Sequence, residues 1–359
     1  PDITVKVIER RTVYQPDRHW GFWIRKVALD RFPFRSIIAQ TYQQGRIVSP
    51  DNKRMTYPFG DYSYCVIRSG DLYQSLLTKI GDRVLTGHSC QRVTDQSIET
   101  AKGQYHGRMV INALPPLIDH PPLWQSFKGV VVKSDQSIFN PETMTLMDFG
   151  CEQPKGGCGF LYQLPFDRHT VLFEPTQFRP DLQEREQRGW YDRMIEYFLK
   201  RHNLTAENII STEQADLPLC WPDHIRTIKS GAGESGKVKT GEGFPVGTRA
   251  GWMRASSGYM FLNCVDLSRQ LADHISHYDR LPKKPLKGYS ATARWLDRVF
   301  LKVGESAPQQ LPETFYHWFK HLPADTFIPF LTDQRILRYM PHIIWHTPDK
   351  YAFLRALWN

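Results

Sequence analysis

Apolar and polar residues alternate in blocks that predict a mixed chain. ITVKVIE, residues 3 to 9, opens as a strand and ends in the acid Glu9. SGDLYQSLLTKIG, residues 69 to 81, changes to helical spacing: Leu72, Leu76 and Ile80 share a face, and Gly81 stops the helix. From 83 to 112 the text alternates and is rich in turn residues, which predicts a β-meander closing on a buried strand, MVINAL. PPLIDHPP then breaks all regular structure. WQSFKGVVVKS, ETMTLMDF, GFLYQLPF and TVLFEPTQF follow between residues 124 and 178. Their spacing leaves no room for helices, so they predict an antiparallel sheet. A helix is expected over 181–201, with Trp190, Met194, Tyr197 and Phe198 on its apolar face. After a Gly-rich segment at 230–251 comes a helix running to 277, and 290–359 reads as helical. No segment repeats another.

TVLFEPTQF, residues 170 to 178, raises a chemical question. Val171, Leu172 and Phe173 suit a half-buried pleated surface. Glu174 interrupts them with no basic sequence neighbour, and Pro175 removes a ladder donor. The expected consequence is a strand that frays or ends there. One reading places Glu174 on the solvent face of an edge strand, where most glutamates lie. The other makes it a functional acid.

The length, 359 residues, predicts two or three domains. Apolar residues at 41% and aromatics at 13% are ample for packed cores and exclude a disordered chain. The net charge of +9 allows anionic lipid, nucleic acid or an anionic cofactor as partner. No basic run is interleaved with aromatics, so nucleic acid ranks last. The longest basic cluster, LPKKPLK at 281–287, is broken by proline and reads as a linker. The six cysteines form no CxxC pair, and CEQPKGGC at 151–158 has no histidines at zinc-site spacing. They are expected to be free thiols of a reducing compartment, with no metal site. No run of 18 apolar residues occurs, so no membrane span is expected, and no signal peptide is expected either.

Two glycine-rich stretches look alike and differ in prospect. GAGESGK, residues 231 to 237, resembles a phosphate loop. VKTGEGFPVG follows it, so no helix begins there to aim amides at phosphate, and a hairpin tip is expected instead. VGTRAGWMRASSGYM, residues 246 to 260, is different. Its small residues permit close backbone approach to a flat ligand, and a helix start is expected at Ser256-Ser257-Gly258. An ordinary glycine turn capped by serine is the plainer alternative. Glu9, at the tip of its strand, is placed to bond a ribose hydroxyl, as in the second strand of a dinucleotide-binding unit. The first strand, glycine loop and helix of such a unit take about 30 residues and are expected to precede Pro1.

Taken in order, these segments resemble the lycopene cyclases, the FAD-dependent enzymes of carotenoid ring closure. HWGFW at 19–23, WQSFKG at 124–129, LMDF at 146–149 and GFLYQLPF at 159–166 each resemble a segment of that family. VLFEPTQF stands where the family has Phe-Leu-Glu-Glu-Thr, and EQADLPL at 213–219 resembles Glu-x-Gly-x-Leu-Pro. VGTRAGWMRASSGYM is similar to Gly-Ala-Arg-Ala-Gly-x-x-His-Pro-Thr-Thr-Gly-Tyr-Ser, and ETFYHWF and DQRILRYMP resemble the closing helices. Three departures stand out. Pro175 replaces the second acid, Arg254-Ala255 replaces His-Pro, and Asn112-Ala113-Leu114-Pro115 replaces Asp-Ala-Arg-Gly.

The resemblance implies an α/β fold: a Rossmann-like FAD domain of the hydroxybenzoate-hydroxylase type, an antiparallel substrate sheet and a helical tail. The expected boundaries are 1–115 and 231–280 for the FAD domain, 116–230 for the substrate domain and 288–359 for the tail. It implies reduced FAD, with NAD(P)H as reductant, held by Glu9, Gly247, Arg249, Ala250, Gly251, Ser257, Gly258 and Tyr259. Glu174 is the implied catalytic acid, kept protonated by apolar burial. Trp20, Phe22, Trp23, Phe160 and Tyr162 are candidates to face a carbocation. The expected reaction is redox-neutral ring closure at the end of a linear polyene. A flavin monooxygenase or reductase, a cyclase of another isoprenoid and a non-catalytic carotenoid carrier are the rival readings. A bilayer-borne substrate implies a protein peripheral to the membrane on its cytoplasmic side, with Lys283, Lys284 and Lys287 available to anionic lipid.

Overall fold

In the structure, a computed structural model, two short parallel ladders stand apart from the larger sheets. The residues described are 3–118, 120–182, 184–220, 225–226, 239–240, 243–333 and 336–358. Val7–Ile8 pairs in parallel with Val84–Leu85, and Ile111–Asn112 with Phe244–Pro245. The meander forms, with Cys90–Val93, Ser97–Thr100 and Gly103–His106 as antiparallel neighbours and Lys239–Thr240 joining the free edge in parallel. It does not close on a buried strand: of MVINAL only Ile111–Asn112 forms a strand, in a separate sheet, and Ile111 is 44% exposed. GAGESGK lies outside the described residues.

The helix Ser69–Ile80 ends at Gly81, whose φ of +40° only glycine adopts freely. Leu72 is buried, but Leu76, expected on the same face, is 36% exposed. The helix is set on the small sheet His19–Arg25, Tyr62–Arg68, Ile38–Tyr42 by its first turn alone.

Seven strands form the main sheet, in the order Ile209–Leu219, Leu123–Lys133, Thr170–Arg179, Cys158–Pro165, Met144–Asp148, Gln44–Val48, Arg54–Pro58. Two of them come from before residue 115, and Gln44–Val48 pairs in parallel with Met144–Asp148, so the sheet is mixed rather than purely antiparallel. The strand at 170 does not fray at Pro175. It runs through to Arg179 in the interior of the sheet. Its ladder to Leu123–Lys133 is interrupted between the pairs Phe127–Thr176 and Val130–Phe173, and Pro175 sits in that gap, where no donor is required.

Period-two alternation divides the sheet between two cores. Val171 and Phe173 face the helix Glu184–Arg201, and Phe173 stacks on Phe198 at 4.1 Å. On that helix Trp190, Tyr191, Met194, Ile195 and Phe198 are buried, while Tyr197, expected inside, is 52% exposed. Leu172 and Phe178 face the other way, into the large core closed by the C-terminal helices Ala291–Ser306, Leu311–His321, Ala324–Leu331, Ile336–Trp345 and Lys350–Trp358. Each fully buried Phe or Leu there contributes about 1.5–3 kcal/mol.

The helix after SSGYM begins at Phe261 and ends at Tyr278. Ser256-Ser257-Gly258 is therefore not its start. Gly258 takes φ +72° and returns its N–H to the Arg254 carbonyl at 2.8 Å, closing a separate turn that delays the helix by a few residues.

Candidate functional site: a carboxyl pair beside an apolar cavity

Four residues on adjacent strands lie in one row: Glu213, Gly129, Glu174 and Tyr162. Glu213 pairs with Gly129, and Tyr162 pairs with Glu174. The pairs either side of the ladder gap set Gly129 opposite Glu174. Directly paired residues project to the same face, so both carboxyls stand over Gly129. A Cβ on Gly129 would lie 2.8 Å from Glu213 Cγ and 3.1 Å from its Oε1. The bare glycine is what admits the second acid.

Glu174 carries its proton to a pH well above the carboxylate range. Burial is the largest cause, followed by the charge of Glu213; the Thr176 hydroxyl, donating to Glu174 Oε1 at 3.1 Å, and the charge of Arg18 act in the opposite direction. Glu213 is held from its far side, where His19 Nδ1 donates to Oε2 at 3.0 Å. Glu213 Oε1 has no donor among the described residues if both acids are ionised. A protonated Glu174 would supply a donor on the Glu213 side of the pair. His19 is kept in place by stacking on Phe166 at 5.3 Å.

Three phenols surround the pair. Tyr64 and Tyr162 lie near Glu174, and Tyr259 accepts a hydrogen bond from Trp23 Nε1 at 3.2 Å. Burial raises Tyr64 and Tyr162 well above 10 and pushes Tyr259 up to about 12, so all three stay neutral. Gly21 makes room for Tyr64, whose hydroxyl occupies the space a Cβ would need. Tyr162 and Tyr259 lie deep in the protein yet keep accessible surface, the combination that marks the wall of an internal space, and Glu174 is the cross-strand partner of Tyr162.

That space is a cavity of about 370 Å³ between the main sheet and the C-terminal helices. Trp23, Tyr162, Phe178, Tyr259, Phe315 and Trp318 are among its lining. Of the expected substrate residues, Trp23 and Tyr162 line it, and Phe160 is buried directly behind Tyr162 at a ring distance of 5.1 Å. Trp20 and Phe22 do not reach it. They alternate with His19, Gly21 and Trp23, so they face the opposite side of their strand and pack on Phe261. His19 and Glu213 were missed as site residues. The alternation around Trp23 and the acid of EQADLPL were the available signals.

The expected cofactor residues fall on two elements. Glu9 extends the Val7–Ile8 strand; its carboxylate accepts from the Arg11 N–H at 2.9 Å and from the Tyr14 hydroxyl at 3.3 Å. Gly247–Ala250 forms a tight turn between Gly247 at φ +64° and Gly251 at φ +71°. Arg249 fastens that turn by donating to the carbonyls of Leu114 and Pro115 at 3.2 and 3.3 Å. A Cβ at Gly247 would meet nothing within 4 Å, so the backbone there opens onto free space. Ser257 Oγ is buried with no partner among the described residues, and Gly258 and Tyr259 lead into the helix N-terminus at Phe261. A strand-end acid, an open glycine turn and free helix amides suit a flat, anionic dinucleotide. All six cysteines are free, and no cluster able to hold a metal occurs among the described residues.

Fold and site together define a class: a mixed α/β protein that keeps a protonated carboxyl beside an apolar, aromatic cavity. The sequence pattern of the family described as lycopene cyclase protein matches residues 1–355, and the chain belongs to that family. No curated protein sequence matches. Among solved structures, a geranylgeranyl bacteriochlorophyll reductase-like protein from Thermoplasma acidophilum is similar at a TM-score of 0.55 and 15% identity, over 98% of this chain and 92% of that one. The tetrameric form of 2-methyl-3-hydroxypyridine-5-carboxylic acid oxygenase is similar at 0.53 and 10% identity, over 93% and 91%. At these identities the likeness is one of fold, and the expected hydroxylase-type α/β architecture with a helical C-terminal region is the one found.

Proposed function

We propose that the protein closes a ring at the end of a linear carotenoid, without net oxidation or reduction, as a lycopene β-cyclase-like isomerase. The observation that carries this reading is the placement of Glu174 and Glu213 over Gly129, in the same cross-strand row as the cavity-lining Tyr162, where burial and the charge of Glu213 raise the Glu174 carboxyl well above its usual range. Glu174 gives its proton to the terminal double bond, and a tertiary cation forms. The neighbouring double bond attacks that cation and closes the ring. A proton then leaves an adjacent carbon and returns to the carboxyl pair, which restores the starting state. Glu213 supplies a second acid from two strands away, across Leu123–Lys133, where the family motif's own second acid is replaced by Pro175. Trp23, Tyr162 and Tyr259 present neutral aromatic faces to the cation and offer no anion to trap it.

FAD is the cofactor that the fold favours, held by Glu9, Gly247, Arg249, Ala250, Gly251 and the 257–261 segment, and NAD(P)H is its proposed reductant. When bound and reduced it supplies an electron-rich ring against positive charge.

The cavity mouth supports a bilayer as the source of substrate. Trp295, Ile344 and Leu354 both line the cavity and are 48%, 53% and 50% exposed. Trp345 and Tyr351 beside them are 73% and 86% exposed. Arg338, Lys350 and Arg355 accompany them, and Lys350 lies 5.0 Å over the Trp345 ring. Aromatics with cations suit an anionic lipid surface. Lys283, Lys284 and Lys287 are exposed in the loop before these helices. No helix of the described residues is long and apolar enough to cross a membrane.

The test is a pigment assay. Full-length protein and its Glu174→Gln form are expressed in cells that accumulate lycopene. Cyclised carotenoid from the parent alone is expected. Unchanged lycopene in both, with flavin bound, overturns the reading.

A further inference from the structure

Apart from Thr347 and Lys350 on the helical side, the polar residues of the cavity lining gather around Arg254. Arg254, which replaces a family histidine, is 2% exposed and lines the cavity. Its Nε donates to Asp297 Oδ1 at 2.8 Å, and its guanidinium lies 5.3 Å over the Tyr289 ring. Its Nη1 has no partner among the described residues. Gln125 Oε1 and Ser257 Oγ line the same cavity and are also buried without a partner. The three belong together. Arg254, Ser257 and Gly258 form one turn, and a Cβ on Gly258 would come 3.3 Å from Gln125 Oε1.

A hydrocarbon can satisfy none of these atoms, and buried polar atoms in native proteins are almost always satisfied. Nη1 needs an acceptor, Gln125 Oε1 needs a donor, and a hydroxyl is both. Charge argues the same way. Asp297, also bonded by Ser256 and the Ala255 N–H, already balances Arg254, so an anionic ligand would face a fixed carboxylate. Gln125 and Gly129 share a face of one strand four residues apart, about 13 Å at the usual rise per residue. The seat therefore lies along the sheet from Glu174, at the distance of a second point on an extended molecule.

We propose that Arg254, Gln125 and Ser257 seat the hydroxyl of an otherwise apolar polyene, so that the protein prefers a hydroxylated carotenoid to the hydrocarbon. This rests on the cyclase reading for the polyene and on the cavity alone for the hydroxyl. The one other source of such an oxygen is a flavin carbonyl, and the test separates the two.

Binding is read without turnover, by quenching of tryptophan fluorescence from Trp23 and Trp318, with the flavin-loaded protein. The probes are lycopene and a monohydroxylated derivative of the same length. The parent is expected to bind the alcohol at least tenfold more tightly. Gln125→Leu, and separately the charge-balanced pair Arg254→Met with Asp297→Leu, are expected to bring the ratio to one while flavin is retained. Equal binding of both probes by the parent overturns the seat. So does loss of flavin absorbance in Gln125→Leu, which assigns these atoms to the cofactor. An alcohol preference in a protein that cyclises nothing sinks the cyclase reading and leaves the seat. Lycopene cyclisation without a preference does the reverse.

Discussion

Glu174 and Glu213 stand on either side of the bare backbone of Gly129, and burial followed by the charge of Glu213 raises the Glu174 carboxyl well above its usual range. His19 Nδ1 bonds Glu213 Oε2 at 3.0 Å from the side away from Glu174. Two acids close together in a buried site cannot both ionise cheaply, which is why Glu174 holds its proton more tightly than a free carboxyl.

Removing the anionic partner weakens that hold. Glu213→Gln takes away the second-largest cause of the raised Glu174 pKa and leaves burial as the first. The rate should fall by about 10²-fold or more at neutral pH, the usual scale for a lost general acid–base contribution. The high-pH limb of the rate profile should move to lower pH. A limb that stays in place would show the two acids to be uncoupled.

Glu174 should also make stability depend on pH. Its proton is held more tightly in the folded chain than in the unfolded one, where it is lost near 4.5. The folded state binds more protons between those two points, so stability is full below 4.5 and falls as pH rises toward the folded value. The slope is about 1.4 kcal/mol per pH unit for one group. Glu174→Gln should flatten this decline, raising the melting temperature at pH 8 relative to the parent more than at pH 5. Parallel curves for the two proteins would place Glu174 in water.

Gly129→Ala tests the geometry with one methyl group. The new Cβ falls within 2.8 Å of Glu213 Cγ, so the side chain must swing away from Glu174. The expected cost is about 1–3 kcal/mol of stability, as for other overpacked sites. Activity should drop as far as in Glu213→Gln, in a protein that still melts cooperatively. Full activity in the alanine variant would argue that Glu213 is not needed.

Membrane affinity should reside in the C-terminal helices. Trp345→Ser with Tyr351→Ser removes two side chains that are 73% and 86% exposed and touch no catalytic group. Flotation with anionic vesicles at low salt should weaken severalfold, with cyclisation of detergent-delivered substrate unchanged. Neutralising Lys283, Lys284 and Lys287 instead should weaken flotation less. The opposite ranking would move the contact to that loop.

The strands from 124 to 178, the helix at 184 and the helical tail were legible because each follows one periodicity over many residues. Glu174 was visible as a carboxyl inside an apolar strand. Its partner was not, since strand order is a long-range choice that brings Glu213 and Gly129 beside it. The fraying expected at Pro175 failed for the same reason: the missing donor matters only if a neighbouring strand asks for it there. Trp20 and Phe22 were misplaced because both faces of their strand are covered, and periodicity separates faces without saying which one meets the cavity. Local pattern fixed which residues alternate and where helices run, since those depend on neighbours in the chain. Tertiary packing alone decided which carboxyls meet and which polar atoms are left facing the cavity, because burial and register are properties of the assembled sheet.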